Sequence, residues 1–575
     1  MSGFPTFDLS DKSETGTVSK LHPLQRVAVW SALAIGSLLL WFAGLNLRPL
    51  GEPDEGRYAE VARERFASGD WLTPRLNGFT FFDKPALQYW ASALFYSVFG
   101  VHEWTARIWV ALTGLLAIAA VGWAGGRLYG RMTGWLAAVV LGSSLLFVAG
   151  AHIGTMDMGV AAFLSIGICF FLVAQFDPSA ASKRAGLNLL GWACLGLAVL
   201  SKGLIGVVLP AATLAVFMLW EKDWRILRRM TLGWGLLLVL LIAAPWFVAV
   251  SLKHPDFFEY FFVKQQFSRY LANVFDRERP WWFFIPVVLG GLFPWVAFLP
   301  FSRAGLRSLY AGSKADRFLV CWVAVVFTFF SVSHSKLPFY ILPIFPALAM
   351  LIARRASMLS ATAIRRRLLW IGALSAAFAI LALVLPLTTR HLSQHTDLHP
   401  ALVWLTRGLV ALAMVSGIGA LLVTRQNRPT AMIGLLGFAT LMVWQMLFAS
   451  VGNLAGNLSA APTAALMLAH LHDDTEVFTV HAYVRGLSFY IGRLVTVADE
   501  DTDDIGPGIS SRPNGFIASV SAFEQRWRRA PSALAVIDPA LMPQLRADAL
   551  PMKIIGRAPI GVVVQRPSSA GSATP

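Results

Sequence analysis

Apolar runs long enough to cross a bilayer recur along almost the whole of this chain. A helical crossing of the hydrocarbon core needs about 20 mostly apolar residues. Such runs lie near 27–47, 106–124, 132–150, 158–176, 187–201, 204–220, 232–250, 281–300, 318–333, 337–353, 368–387, 401–424 and 430–450, which makes about thirteen spans. The predicted fold is a polytopic all-α membrane domain. Composition agrees, since only 14% of the 575 residues are charged and mean hydropathy is +0.61. A soluble chain carries about a quarter charged residues. Ala86–Phe99 is too short and too close to its neighbour to cross, and is predicted to lie on the surface as an amphipathic helix. The first span lacks a small-residue cleavage site and reads as an uncleaved anchor.

The net charge of +16 does not point to nucleic acid, because the basic residues form no single face or tail. They fall in short loops instead: Arg127/Arg131, Lys183/Arg184, Lys222 to Arg229, Arg303 to Arg317, Arg354 to Arg367, and Arg425/Arg428. Together with Lys12, Lys20 and Arg26 they mark the cytoplasmic side. The expected division is a cytoplasmic tail over 1–26, a membrane domain over 27–457 with an outer loop at 46–104, and a small α/β periplasmic domain over 458–575. Glu476–Val480 and Ala533–Ile537 read as strands of that domain, and Pro567–Pro575 as disordered. Cys169, Cys194 and Cys321 sit in apolar segments without ligand-like spacing and read as structural thiols.

Charged residues in the outer loops escape the topological explanation. The first outer loop holds Gly51-Glu52-Pro53-Asp54-Glu55-Gly56-Arg57-Tyr58, then Phe81-Phe82-Asp83-Lys84-Pro85. An acid pair set between Pro and Gly suits a fixed turn into a helix. An acid there can simply cap the helix, which fits Glu55 as well as any functional role does. Asp157 follows the third span at a turn with room only to present it, and a carboxylate at such a boundary is a functional candidate. Lys202 and Lys336 oppose the positive-inside bias, although each could snorkel to lipid phosphates. In the loop at 251–280, Arg269 suits bidentate phosphate contact because its planar fork matches phosphate oxygens. Lys264, Arg277 and Arg279 could equally meet headgroups. Carboxylates and cations gathered on one face suit group transfer from a phosphate-linked donor. No nucleotide motif appears in a suitable setting, so the expected donor is a lipid-linked sugar.

In this order the motifs resemble those of GT-C fold membrane glycosyltransferases of the protein-mannosyltransferase superfamily, and within it the bacterial aminoarabinose (lipid A) transferases. The motifs are Pro53-Asp54-Glu55-Gly56-Arg57-Tyr58, Phe81 to Trp90, Asp157, Leu200-Ser201-Lys202-Gly203, Arg269-Tyr270 leading to Pro280-Trp281-Trp282, and His334-Ser335-Lys336 with Tyr340. The resemblance covers Leu47 to about Pro346 in motif detail. It implies a GT-C type fold in the inner membrane and inverting transfer of a sugar, foremost 4-amino-4-deoxy-L-arabinose. The donor would be a polyprenyl phosphate, undecaprenyl phosphate, and the acceptor a lipid A phosphate or another periplasmic glycan. By the same resemblance Asp54 and Asp157 are catalytic. Lys84 and Arg269 clamp the donor phosphate with Lys202, Lys336 and Tyr340, while Glu55, Asp83, Gln266 and Tyr58 support the site. Asp83 and Gln266 stand where relatives often carry Glu and His around a divalent metal. A shorter acid and an amide weaken such a site, so no cofactor and no tight metal are expected, with Asp83 the one residue placed for a weak divalent ion. The alternative within the class moves another sugar, such as mannose or galacturonate, to a glycan or protein hydroxyl. A transporter would keep its ionisable groups near mid-bilayer in repeated halves, and no such repeat occurs. A membrane scaffold is the remaining alternative.

Overall fold

The computed structural model describes residues 23–268, 278–299, 307, 311–388, 399–426, 429–450, 456, 458–500 and 505–567. Lys12, Lys20, Arg269, Tyr270, Arg277, Arg303, Arg428 and the end at 568–575 lie outside them, as does the side chain of Gln266. In chain order the first helices are α1 (Pro23–Ala43), α2 (Asp54–Ser68), α3 (Leu87–Phe99), α4 (Glu103–Tyr129), α5 (Arg131–Gly142), α6 (Leu145–His152), α7 (Met156–Phe176) and α8 (Arg184–Lys202).

Among the described residues nine helices are long and apolar enough to cross a membrane, and the pair α5–α6, bent by 63°, makes a tenth. The runs expected at 132–150 and 281–300 are therefore not straight spans. The first bends at Ser143-Ser144. The second is a short helix, Phe284–Gly291, followed by a 3-10 turn at Trp295–Phe298, because Gly290-Gly291 and Pro294 interrupt it. These two breaks meet. Trp295 Nε1 donates to Ser143 Oγ at 3.0 Å, and Trp444 Nε1 donates to the Ser143 carbonyl at 2.9 Å. The Ser143 and Ser144 hydroxyls turn back onto the Val139 and Val140 carbonyls at 2.6 and 2.7 Å. Polar backbone freed by a bend inside an apolar bundle is thus repaired by side chains. The bend aims α6 toward the outer loop.

The outer loop folds on itself before α4. Gly69, at φ 68°, closes α2 in the left-handed conformation. A small hairpin of β1 (Arg75–Leu76) and β2 (Phe79–Thr80) follows. The surface helix expected at 86–99 forms as α3. It buries Tyr89, Ala93 and Tyr96 and leaves Leu94, Val98 and Phe99 exposed.

After the last long helix the chain builds a six-stranded sheet ordered β5-β4-β3-β6-β8-β7. Its strands are β3 (Glu476–Val480), β4 (Thr496–Ala498), β5 (Phe516–Ile517), β6 (Ala533–Ile537), β7 (Lys553–Ala558) and β8 (Gly561–Gln565). β3 runs parallel to β4 and β6, whereas β8 pairs antiparallel with β6 and β7. Both central strands are buried along almost their whole length, β3 and β6 alike, as continuous apolar strands covered on two faces should be. One apolar cluster runs from this sheet into the outer loop, joining Val477, Leu487 and Val497 to Leu76, Phe79 and Phe81.

Candidate active site

The acidic turn opens α2, with Asp54 and Glu55 both in its first turn. Successive helical residues point about 100° apart, so the two carboxylates separate. Asp54 stays partly exposed and accepts from Arg57 one turn on. Glu55 is buried. Its Oε1 accepts from Arg48 Nη2 at 2.9 Å, Arg107 Nε at 2.9 Å and the Gly154 N–H at 2.8 Å. Its Oε2 accepts from Arg48 Nη1, from Arg107 Nη2 at 3.1 Å and from the Gly51 N–H at 2.9 Å. Burial alone would raise its pKa, but Arg107 and Arg48 hold the carboxyl well below the usual range. Glu55 is therefore more than a helix-start residue: it bolts the acidic turn to the Ile153–Thr155 turn.

That second turn leads into α7, whose first turn carries Asp157. Asp157 Oδ1 accepts from Lys202, the last residue of α8. The same ammonium lies 4.2 Å from the centre of the Tyr340 ring. A carboxylate on one side and a π face on the other fix where this cation stands.

Asp83 is buried and takes two donors on one oxygen. Tyr260 Oη donates at 2.7 Å and Gln265 Nε2 at 3.0 Å. Both come from a π-helix, Glu259–Ser268, whose i→i+5 bonding aligns residues five apart. Lys84 follows Asp83 and donates to its carbonyl at 3.0 Å. Hydrogen-bond donors aimed at Asp83 suit a carboxylate, not a metal ligand set. Among the described residues no three His, Cys, Asp or Glu side chains stand close enough together to hold a metal ion.

Tyr58 lies among these groups. Its phenol is pushed above the usual range first by burial, then by the negative charges of Asp54, Asp83 and Asp157, with Arg57 opposing. Arg57 stands 5.3 Å from the Tyr58 ring centre. Asp54, Asp83, Asp157, Lys84, Lys202, Tyr58 and Tyr340 thus form one neighbourhood. Lys336 lines a separate opening with Arg279 and His334. The amide on Asp83 belongs to Gln265.

The sequence alone assigned no role to Arg57, Arg107, Tyr260, Gln265 or Glu52. Arg57 sits at i+3 from Asp54, a helical pairing distance, and Arg107 is a guanidinium at the head of an apolar span, which flags function. Glu52 reaches the distant C-terminal region, where its Oε1 accepts from the Gly486 N–H at 2.7 Å. No local pattern announces that contact.

Two family models match the chain. Residues 31–261 match Dolichyl-phosphate-mannose-protein mannosyltransferase, and residues 463–566 match Aminoarabinose transferase C-terminal domain. An undecaprenyl phosphate-alpha-4-amino-4-deoxy-L-arabinose arabinosyl transferase of Erwinia tasmaniensis is 32% identical over 327 residues, 56% of this chain and 58% of its own length. The enzyme of the same name from Enterobacter sp. is 31% identical over 368 residues, 63% of this chain and 66% of its own. The matches thus span less than two thirds of these curated relatives. The crystal structure of ArnT from Cupriavidus metallidurans bound to undecaprenyl phosphate is 29% identical, with a TM-score of 0.88 over 96% of this chain and 99% of that one. An archaeal oligosaccharyltransferase, AglB from Archaeoglobus fulgidus, is 13% identical with a TM-score of 0.51, over 90% of this chain and 70% of its own, and shares the fold alone. The apolar helices and these relatives make the chain a multi-pass inner-membrane protein. Both family models in order, and superposition on ArnT along nearly all of its length, make the chain similar to the aminoarabinose transferases from its membrane helices to its C-terminal sheet.

Proposed function

We propose that the chain transfers 4-amino-4-deoxy-L-arabinose from undecaprenyl phosphate to a phosphate of lipid A. The observation that carries this reading is the grouping of Asp54, Asp83 and Asp157 about Tyr58, with Lys202 held between Asp157 and Tyr340. The donor carrier named for the relatives supports it.

In this reading an oxygen of the acceptor phosphate attacks the anomeric carbon from the face opposite the donor phosphate. The bond from that carbon to the donor oxygen breaks with inversion, and undecaprenyl phosphate leaves with the electron pair. Lys84 and Lys202 meet the charge growing on the departing phosphate, and Arg269 adds a bidentate contact. The acceptor is already an anion, so no strong base is required. Asp54, sharing its charge with Arg57, orients the acceptor or the sugar ammonium. Asp157 sets the position of Lys202. The site faces the periplasm, with the N-terminus cytoplasmic, because the basic loops lie on the opposite side. The division into a membrane domain and a C-terminal domain near residue 458 belongs to the same reading.

The test is the intact mass of lipid A from cells with and without the gene. Aminopentose should disappear on deletion, return with the wild-type gene and stay absent with Asp54→Asn. An unchanged lipid A profile overturns the reading.

A further inference from the structure

Beside the Pro280–Trp282 turn and the Lys314–Val332 helix lies an open cavity of about 850 Å³. One wall is apolar and bare, with Trp281 69% and Val332 66% exposed. The same lining carries Arg279, His334 and Lys336. Lys336 is buried, its ammonium donating to the Ser333 carbonyl, and that burial pushes it below the usual lysine range. The one carboxylate lining the cavity, Glu278, stands 3.5 Å from His334 Nδ1. Ser331 Oγ is buried in the same lining and has no partner among the described residues. None of the three basic groups bonds to Asp54, Asp83 or Asp157 among the described residues.

The nearby Glu278 carboxylate offsets part of the cost of burying this ammonium, but among the described residues no anion pairs with it directly. A phosphate would supply the missing charge, and its oxygens would also accept from Arg279 and Ser331. Trp281 is the kind of side chain that sits at the level of lipid headgroups. Bare apolar side chains beside cationic ones in one open cavity call for an amphiphile with a phosphorylated head.

We propose that this cavity seats the phosphorylated headgroup of the acceptor lipid, apart from the donor site, on Lys336 and Arg279, with the acyl chains passing Trp281 and Val332. This rests on the reading above that the acceptor is a phosphorylated outer-leaflet lipid. It assigns Lys336 to the acceptor and not to the donor phosphate.

The experiment is native mass spectrometry of the purified full chain. The probes are lipid A carrying two phosphates, the same lipid after phosphatase treatment, and undecaprenyl phosphate. Wild type should retain the phosphorylated lipid about tenfold better than the dephosphorylated one, as expected for one charge-assisted contact. Arg279→Gln with Lys336→Gln should erase that preference and leave undecaprenyl phosphate binding intact. Equal retention of both lipids by wild type overturns the proposal. So does an unaltered preference in the double variant, or a loss confined to undecaprenyl phosphate. Should Lys336→Gln not fold, the exposed Arg279→Gln alone must still weaken the preference. Phosphorylated lipid bound without any sugar transfer would remove the functional reading and leave this site standing. Sugar transfer with an indifferent double variant would do the reverse.

Discussion

Asp54 and Glu55 are adjacent, yet the turn of the helix sends one carboxylate to Arg57 at a partly open site and the other into a buried nest of Arg48, Arg107 and two backbone N–H groups. Their substitutions should therefore fail differently. Asp54→Asn should keep its level in the membrane while transfer falls about 10²-fold or more, read by lipid A mass and a thermal melt on the same preparation. Glu55→Gln removes the charge between two buried guanidinium groups, which costs about 3–5 kcal/mol, so its melting temperature and membrane level should both drop. Glu52, on the preceding side of the turn, is pushed up to about 7 by burial, against the pull of the Gly486 N–H and Arg485. A carboxyl whose folded pKa is raised stabilises the folded state most below its unfolded value of 4.5, and that contribution is lost as pH climbs through about 7. Melting temperature should accordingly fall between pH 5 and 8. In Glu52→Gln, which stays neutral, that part of the slope should vanish.

At the scale of elements, α2 is the piece on which everything converges, and its approach to the C-terminal region is set by two glycines. A Cβ on Gly56 would lie 2.9 Å from Gly486 Cα and 2.4 Å from Glu52 Oε1. Neither backbone can move aside without parting the turn from its support. Gly56→Ala should cost about 1–3 kcal/mol and make the C-terminal region easier to release by limited proteolysis, with transfer reduced although no catalytic side chain has changed. Wild-type resistance in this variant would show that the contact is dispensable. The π-helix does related work from the other side, since its five-residue register lets Tyr260 and Gln265 reach the same Asp83 oxygen.

For the whole molecule, the C-terminal sheet is a structural partner of the outer loop. Asn77 in the hairpin donates to the Val495 carbonyl at 2.9 Å and accepts its N–H at 2.8 Å, while Arg512 Nη1 donates to the Asn77 carbonyl at 2.7 Å. Tyr490 Oη donates to Glu103 and accepts from the Leu50 N–H, each at 2.7 Å. Truncation at residue 458 would expose Leu76, Phe79, Phe81 and Tyr89, now buried in the shared cluster. The truncated chain should reach the membrane at a reduced level and show no transfer, as judged by blotting and lipid A mass. Full activity without the sheet would mean that the outer loop holds its shape alone.

What the sequence determined by itself rests on local signals. Hydrocarbon excludes charge over about 20 residues at a time, so the apolar runs are legible, and β3 and β6 fall where continuous apolar stretches predicted strands. The acidic turn was legible because its Pro, acids and Gly stand together. Only the tertiary structure decided which partners the individual residues of the candidate site meet. Glu55 takes its meaning from Arg107, 52 residues away, and from Gly154, 99 away. Asp83 meets Gln265 because a π register shifts the side chains around the helix. Lys336 lines an opening with Arg279 and His334 whereas Lys202 meets Asp157, though both read as lone outer lysines. The bend at Ser143 holds because tryptophans from two distant segments satisfy its polar groups. Each of these depends on partners far off in sequence, and a side chain's charge or reach does not say which partner the packed chain will bring to it.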